Sequence, residues 1–313
     1  MRPRKHLGFI AAVAAGVFAV QTAHAVVNIQ NIGAGARSSA LGNSFVALAD
    51  NGDAVFANPA GVAQLQHREV AYTNVSLLFE GIDGDDLGQH VASYVQPLGS
   101  RLGLGIGFER IGSDLLSENG GFLSLGYKLS STLMVGVTGK YLFWSVDTIP
   151  DDPVNGPDPL SNTTNGAIGL DLGLLWKSPI LQGAQIGVLL KNANEPNLAK
   201  TGGLGDAGAL PMDLHVGASL LVAETSMVTV QWVVRDLTDE TDSRVVVGGE
   251  TRLVEGLMLR AGGSKLFQDD ASGDLNAGLG YKRDKLLFDY GYHIPLDLTE
   301  TNGAHRFSIG YVF

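Results

Sequence analysis

Residues 304 to 313 read AHRFSIGYVF, and they alternate. His305, Phe307, Ile309, Tyr311 and Phe313 fall on one face, with Arg306, Ser308, Gly310 and Val312 on the other. A two-residue period means a strand, and an oily face opposite a small or polar one means that the two sides meet different surroundings. The same parity sets Leu286, Phe288, Tyr290, Tyr292 and Ile294 against Asp289, Gly291 and His293. It sets Leu170, Leu172, Leu174 and Trp176 against Asp171, Gly173, Leu175 and Lys177, and Val228, Val230, Trp232 and Val234 against Gln231 and Arg235.

Working back from the C-terminus, fourteen such segments start near residues 68, 88, 100, 120, 132, 164, 183, 211, 226, 243, 256, 273, 285 and 304. Tight turns at Leu98-Gly99, Ser130-Ser131, Ala223-Glu224-Thr225, Glu255-Gly256 and Arg283-Asp284 alternate with longer connections at 81–89, 113–120, 147–163, 193–210, 237–242, 267–272 and 296–303. Those seven connections hold 18 acidic residues and one base, Lys200, whereas Arg68, Arg101, Lys128, Lys177, Lys282, Arg283 and Lys285 gather at the other end. An even number of strands, with short turns on one rim and long loops on the other, is the outer-membrane pattern. The expected fold is therefore an all-β, 14-stranded antiparallel transmembrane β-barrel over residues 68–313.

Composition agrees. The 313 residues include no cysteine, which excludes a disulfide scaffold, a thiolate metal site and a Cys nucleophile. A net charge of −11 argues against a nucleic-acid partner. Glycine supplies 42 residues, about twice the usual ~7%, and is spread along the strands. With Leu102, Leu104, Ile106 and Phe108 facing lipid, Gly103, Gly105 and Gly107 would let the inner wall approach something inside the barrel. Glycine-rich strands such as 101–107, or the one carrying Pro97, are also where a wall opening is expected.

The leading residues differ from the rest. Residues 1–25 carry Arg2, Arg4 and Lys5, an apolar run from Leu7 to Val20, and Ala23-His24-Ala25, a secretory signal peptide with its cleavage site. Residues 26–67 do not alternate. Leu41, Phe45, Leu48 and Ala49 recur at helical spacing within Ala36 to Ala49, Asp50 to Asp53 reads as a turn, and Asn58-Pro59 supplies an N-cap and first-turn proline for a second helix towards Leu65. Fourteen strands would leave a hole unless something fills it, and this segment is the candidate: a small helical N-terminal hatch in the lumen.

The stretch GARSSALGNSFVALADNGDAVFANPAGVAQL, residues 35 to 65, resembles the hatch of the PorV/PorQ group of outer-membrane proteins, itself similar to FadL-like transporters. The resemblance rests on Gly35, Ala36 and Arg37, on Leu41 and Gly42, on Ala47 to Asp50, and on Asn58, Pro59, Ala60 and Gly61. It implies a bacterial outer-membrane location and one of two roles. FadL-like members admit hydrophobic small molecules; PorV-like members serve a protein-secretion system and would engage an exported protein. Phe307, Tyr311 and Phe313 resemble the terminal aromatic signal read by the barrel-assembly machinery.

Parity turns Glu109, Lys140, Asp171, His215, Gln231, Arg235, Glu250, Arg252, Arg260, Lys282, Asp289, His293 and Arg306 inward. They are expected to form a mixed-sign network holding the hatch, with Arg252 and Arg260 also suited to a ligand carboxylate. Gly203 to Gly208 matches G-x-G-x-x-G by chance, since it opens no helix after a strand. Asp83, Asp85, Asp86, Asp151, Asp152, Asp269 and Asp270 could attract divalent cations beside outer-membrane lipid and anionic glycolipid, without EF-hand spacing. No H-E-x-x-H or G-x-S-x-G is present, so neither an enzyme nor a cofactor is expected.

Overall fold

Strands with one apolar face can cross a bilayer only if no edge is left unpaired, and closure achieves this. A computed structural model describes residues 34–79, 88–112, 116–149, 156–158, 160–199, 208–238, 241–267, 273–296 and 301–313. The signal peptide, residues 26–33 and the seven loop aspartates lie outside the described residues, as does most of Gly203 to Gly208. Fourteen strands form one closed antiparallel barrel. They are β1 (Glu69–Phe79), β2 (Gly88–Leu98), β3 (Leu102–Gly112), β4 (Leu116–Lys128), β5 (Leu133–Val146), β6 (Thr163–Lys177) and β7 (Gln185–Lys191). The second half comprises β8 (Asp213–Ala223), β9 (Ser226–Arg235), β10 (Asp242–Val254), β11 (Leu257–Leu266), β12 (Gly273–Arg283), β13 (Leu286–Pro295) and β14 (Thr301–Val312). Closure is made by β1 on β14, with Val70 opposite Tyr311 and Asn74 opposite Phe307.

Side-chain parity sorts charge by face. Every acidic residue within a strand points to the lumen: Glu69, Glu109, Glu118, Asp171, Asp213, Asp242, Glu250, Asp274 and Asp289. The outer face is apolar, with Ile106, Phe108, Leu123, Trp232 and Phe307 exposed and Ile168 71% accessible. That belt is the surface of a transmembrane barrel.

Residues 34–67 occupy the interior. Helices α1 (Ala36–Ala40), α2 (Ala54–Ala57) and α3 (Pro59–Val62) are each about one turn long. The helix expected over Ala36 to Ala49 stops at Ala40, because Gly42 (φ +69) and Asn43 (φ +67) adopt the left-handed conformation that ends helices. The second helix starts as expected: Asn58 Oδ1 accepts from the Ala60 amide at 3.1 Å and Pro59 follows.

Glycine makes this packing possible. Gly103, Gly126, Gly136 and Gly173 sit side by side in the register of β3 to β6. A Cβ on any of them would run into the backbone of 59–63 or the Asn58 side chain. Across the barrel, Gly248, Gly262, Gly278 and Gly291 seat residues 36–42 in the same way.

Two expectations need correction. The β2–β3 ladder is unbroken from Gly88↔Gly112 to Leu98↔Leu102, Pro97 included, so the wall is closed there. The glycines of β3 serve the inner segment instead. The connection expected over 113–120 shrinks to 113–115, because β4 begins at Leu116 and Glu118 turns inward, buried. The wall is interrupted elsewhere: β6 pairs with β5 from Thr163 to Trp176, but with β7 only from Leu172 to Lys177.

Beyond Lys191 the chain leaves the wall and folds into the barrel mouth. Leu198 and Leu210 are buried with Val55, Val95, Phe122 and Leu142, and Trp144 Nε1 donates to the Leu198 carbonyl at 2.8 Å. The deserted edge of β6 is capped by the Asn194 side-chain amide together with the Ala193 main-chain amide, which donates to the Leu170 carbonyl at 2.8 Å. Asn194 Oδ1 accepts from the Leu170 amide and its Nδ2 donates to the Ile168 carbonyl, both at 2.8 Å. An amide side chain thus replaces a peptide of the missing strand, which matters where no water can satisfy the edge.

Candidate functional site

One-turn helices leave most of their backbone groups without internal partners, and buried groups of this kind must find others. The inward polar side chains supply them. Gln231 Oε1 accepts from the Phe45 and Val46 amides, each at 3.1 Å. Thr229 Oγ1 donates to the Ser44 carbonyl at 2.9 Å, the Ala36 amide donates to Ser308 Oγ at 2.9 Å, and the Gly52 amide donates to Glu69 Oε1 at 2.9 Å. Asn58 is wholly buried; its Nδ2 donates to Val46 O at 2.8 Å and to Leu174 O of β6 at 3.1 Å, tying α3 to the wall.

On the short-turn side an ionic cluster joins segment and barrel. Arg37 lays its fork on Glu250, Nε to Oε2 at 2.9 Å and Nη2 to Oε1 at 3.1 Å, and reaches Asp50 Oδ1 with Nη1 at 2.6 Å. Arg260 donates to the same Glu250 Oε2 at 2.6 Å and to Asp289 Oδ1 at 2.5 Å. The flanking carboxylates outweigh burial and hold the Arg37 guanidinium well above its ordinary pKa. A cavity of about 440 Å³, lined by Arg37, Asp50, Glu69, Glu250, Arg260 and Asp289 among others, opens on this side.

Asp53, at the end of the turn and just before α2, carries a testable pH signature. Burial pushes its carboxyl from 3.8 up to about 6, against the opposing hydrogen bond with Ser38. The folded group holds its proton more tightly than the unfolded one, so its contribution to stability is complete below about pH 4 and is lost as pH rises through 6. About two pKa units correspond to about 3 kcal/mol. The urea midpoint of the micelle-embedded protein is expected to fall over that interval, and Asp53→Asn to flatten the profile.

On the other side of the inner segment lies a second cavity, of about 120 Å³. Phe45, Val46 and Phe56 face it from the segment, and Phe122, Leu189 and Val233 from the wall. Its polar groups include two with unused donors. His215 Nδ1 accepts from Gln231 Nε2 at 3.1 Å, which leaves the proton on Nε2, a buried atom without a partner among the described residues. Arg235 makes no hydrogen bond or ion pair with a described residue. The cavity reaches Asp171, Lys191 and Asp213, where β7 ends and β6 loses its strand neighbour. A void of roughly 150 Å³ is the size that holds one benzene ring, so in size, though with a lining of mixed apolar and charged groups, this space matches a single ring and not an extended acyl chain.

The structure brings most of the sequence-derived lumen residues together in pairs. Lys140 Nζ meets Asp171 Oδ1 at 2.6 Å, Gln89 donates to Glu109 at 2.7 Å, and His293 lies 3.8 Å from Asp274. Arg306 donates to Ser39 Oγ at 2.8 Å. The reading of Arg252 and Arg260 as a joint carboxylate clamp does not survive. Arg252 has inward parity but is exposed beside the β10–β11 turn, and Arg260 is committed to Glu250 and Asp289. Arg244, Lys191 and Asn194 were not singled out by sequence, although Asn192-Ala-Asn-Glu-Pro196 breaks the alternation early enough to flag a short strand. Among the described residues no group of His, Asp or Glu is arranged to hold a metal ion.

No protein-family model matches the chain, and no curated relative matches it. Solved structures do. The CymD monoaromatic hydrocarbon channel aligns with a TM-score of 0.66 at 15% identity, covering 92% of this chain and 99% of the channel. The Ralstonia pickettii toluene transporter TbuX gives 0.66 at 15% identity over 92% and 99% of the two chains. A Pseudomonas aeruginosa FadL homologue gives 0.58 at 13% identity over 90% and 98%. At such identities the likeness shows a common barrel fold.

Proposed function

We propose that this chain is a bacterial outer-membrane channel that passes hydrophobic small molecules, of about one aromatic ring in size, through a lumen plugged by its own N-terminal segment. One observation carries the proposal: the cavity beside the plug, where Phe45, Val46, Phe56, Phe122, Leu189 and Val233 share the lining with charged side chains, ends against the stretch where the β6–β7 ladder stops. An oily solute held there would leave sideways through the notch under Asn194 into the bilayer, without crossing the charged vestibule beneath the plug. The hydrocarbon channels that share the fold support this choice of solute. The unused donors of His215 and Arg235 suit a solute bearing one hydrogen-bond acceptor.

Uptake of a labelled monoaromatic hydrocarbon by a deletion strain is expected to fall at least fivefold and to recover with the wild-type gene. Uptake equal to that of the parent strain would sink the proposal. The hatch motif from Gly35 to Gly61 and the anionic long connections support a second reading, an accessory of a secretion system of the PorV type. Co-purification of a large secretion pore, with loss of exported proteins on deletion, would favour it over transport. In either role the signal peptide directs export, and Phe307 and Tyr311, exposed on the outer face of the final strand, with Phe313, exposed just beyond it, serve as the assembly signal.

A further inference from the structure

The outer face of the strands holds no acid, yet it does hold cations: Arg110 and Lys265 near the long-connection rim, and Arg283 at the opposite end. A guanidinium on the lipid side is unfavourable unless something there compensates it. Arg110 is exposed two residues below the end of β3, just above Phe108 and Ile106, and makes no hydrogen bond or ion pair with a described residue. A tilted strand of about 9–11 residues spans the hydrocarbon, so a residue two from the end of the 11-residue β3 stands close to the headgroup level.

Arg110 has company. In register across β1, β2 and β3, Asn74 faces His90 and His90 faces Arg110, all turned outward. Directly opposed residues have Cβ atoms about 5 Å apart. The His90 ring is held by its neighbours: Nδ1 accepts from Tyr72 Oη at 2.7 Å and Asn74 Nδ2 at 3.3 Å, and the Tyr72 ring stacks on it at 6.2 Å. With Nδ1 occupied as an acceptor, the proton stands on Nε2 and is free to donate. A rigid N–H donor therefore lies beside an unpaired guanidinium, on a wall from which all carboxylates have been turned away.

We infer that Arg110 and His90 form a binding site for the phosphate of an anionic lipid in the leaflet beside the long connections. Phosphate is acceptor-only, and a guanidinium fork with a second fixed donor matches its oxygens. The acyl chains of such a lipid would lie on Phe108, Ile106 and Leu104 below. The inference depends on the outer face meeting lipid and not on what the lumen carries, so a failure of the transport assay leaves it standing.

The test is native mass spectrometry of the full chain in mild detergent with a diphosphoryl glycolipid, its dephosphorylated form or phosphatidylcholine. The wild type is expected to retain one phosphorylated lipid through detergent exchange and to release the other two. Retention should drop about tenfold in Arg110→Gln, drop further when His90→Gln is added, and stay unchanged in Lys265→Gln. Heat-modifiable gel mobility shows whether each variant has kept its barrel. Equal retention by Arg110→Gln and wild type would overturn the site, as would equal retention of the dephosphorylated lipid. Full displacement by millimolar inorganic phosphate would also overturn the assignment to a lipid.

Discussion

Gly136→Val is expected to convert a closed barrel into a conducting one. A Cβ at this position falls onto the Pro59 carbonyl and the Ala60 amide, which are backbone atoms and cannot swing aside as a flexible side chain can. Gly103, Gly126 and Gly173 flank it in register and leave α3 no neighbouring seat. The added isopropyl group must therefore expel α3 and break the hydrogen bond from Asn58 to Leu174 that ties it to the wall. The ladders of β5 with β4 and β6 use main-chain groups only, so the wall itself should still assemble. In planar bilayers single-channel conductance should rise at least tenfold, and cells should become sensitive to large polar antibiotics. Val137→Leu, one residue along and on the exposed outer face, is the control and should leave conductance unchanged. A barrel that assembles with Gly136→Val and stays closed would refute the seating argument.

Arg37→Ala should produce the second large effect. The guanidinium is 15% exposed and satisfies Glu250 and Asp50 at once, so its loss leaves Asp50 without this partner and Glu250 dependent on Arg260 alone. Removing one member of a largely buried pair costs about 3 kcal/mol or more. That should appear as a lower urea midpoint in micelles. Glu250→Ala should cost a similar amount, and the double variant should cost clearly less than the sum, because both break the same contact. Strict additivity would mean that the pair does not fasten the segment to the wall.

Much of this architecture is legible in the sequence alone. A side-chain period of two is a local property, so Leu104, Ile106 and Phe108 announce an outward face, and Glu109, Lys140 and Asp171 an inward one. Residues 34–67 are harder, because a segment of one-turn helices is shaped by what surrounds it: the α1 pattern continues to Ala49, but wall contacts and left-handed Gly42 end it at Ala40. The glycines of β3 fit two physical roles, a weak ladder or a close approach, and only the position of Val62 against Gly103 decides for the second. Arg252 shows the limit of parity, which gives direction but not height along the barrel axis. The departure of the chain at Asn192 is hidden for a similar reason, since which strand loses its neighbour is a tertiary fact.

The hydrogen bonds that anchor residues 34–67 to Gln231, Thr229, Ser308, Glu69 and Leu174 fix an order of events during biogenesis. A stretch that borrows its partners from β1, β6, β9 and β14 has almost nothing to fold around on its own. Those lenders come together only when the final strand meets the first. This stretch, synthesised before every strand of the wall, must therefore travel unstructured and acquire its shape last, as the cylinder closes around it.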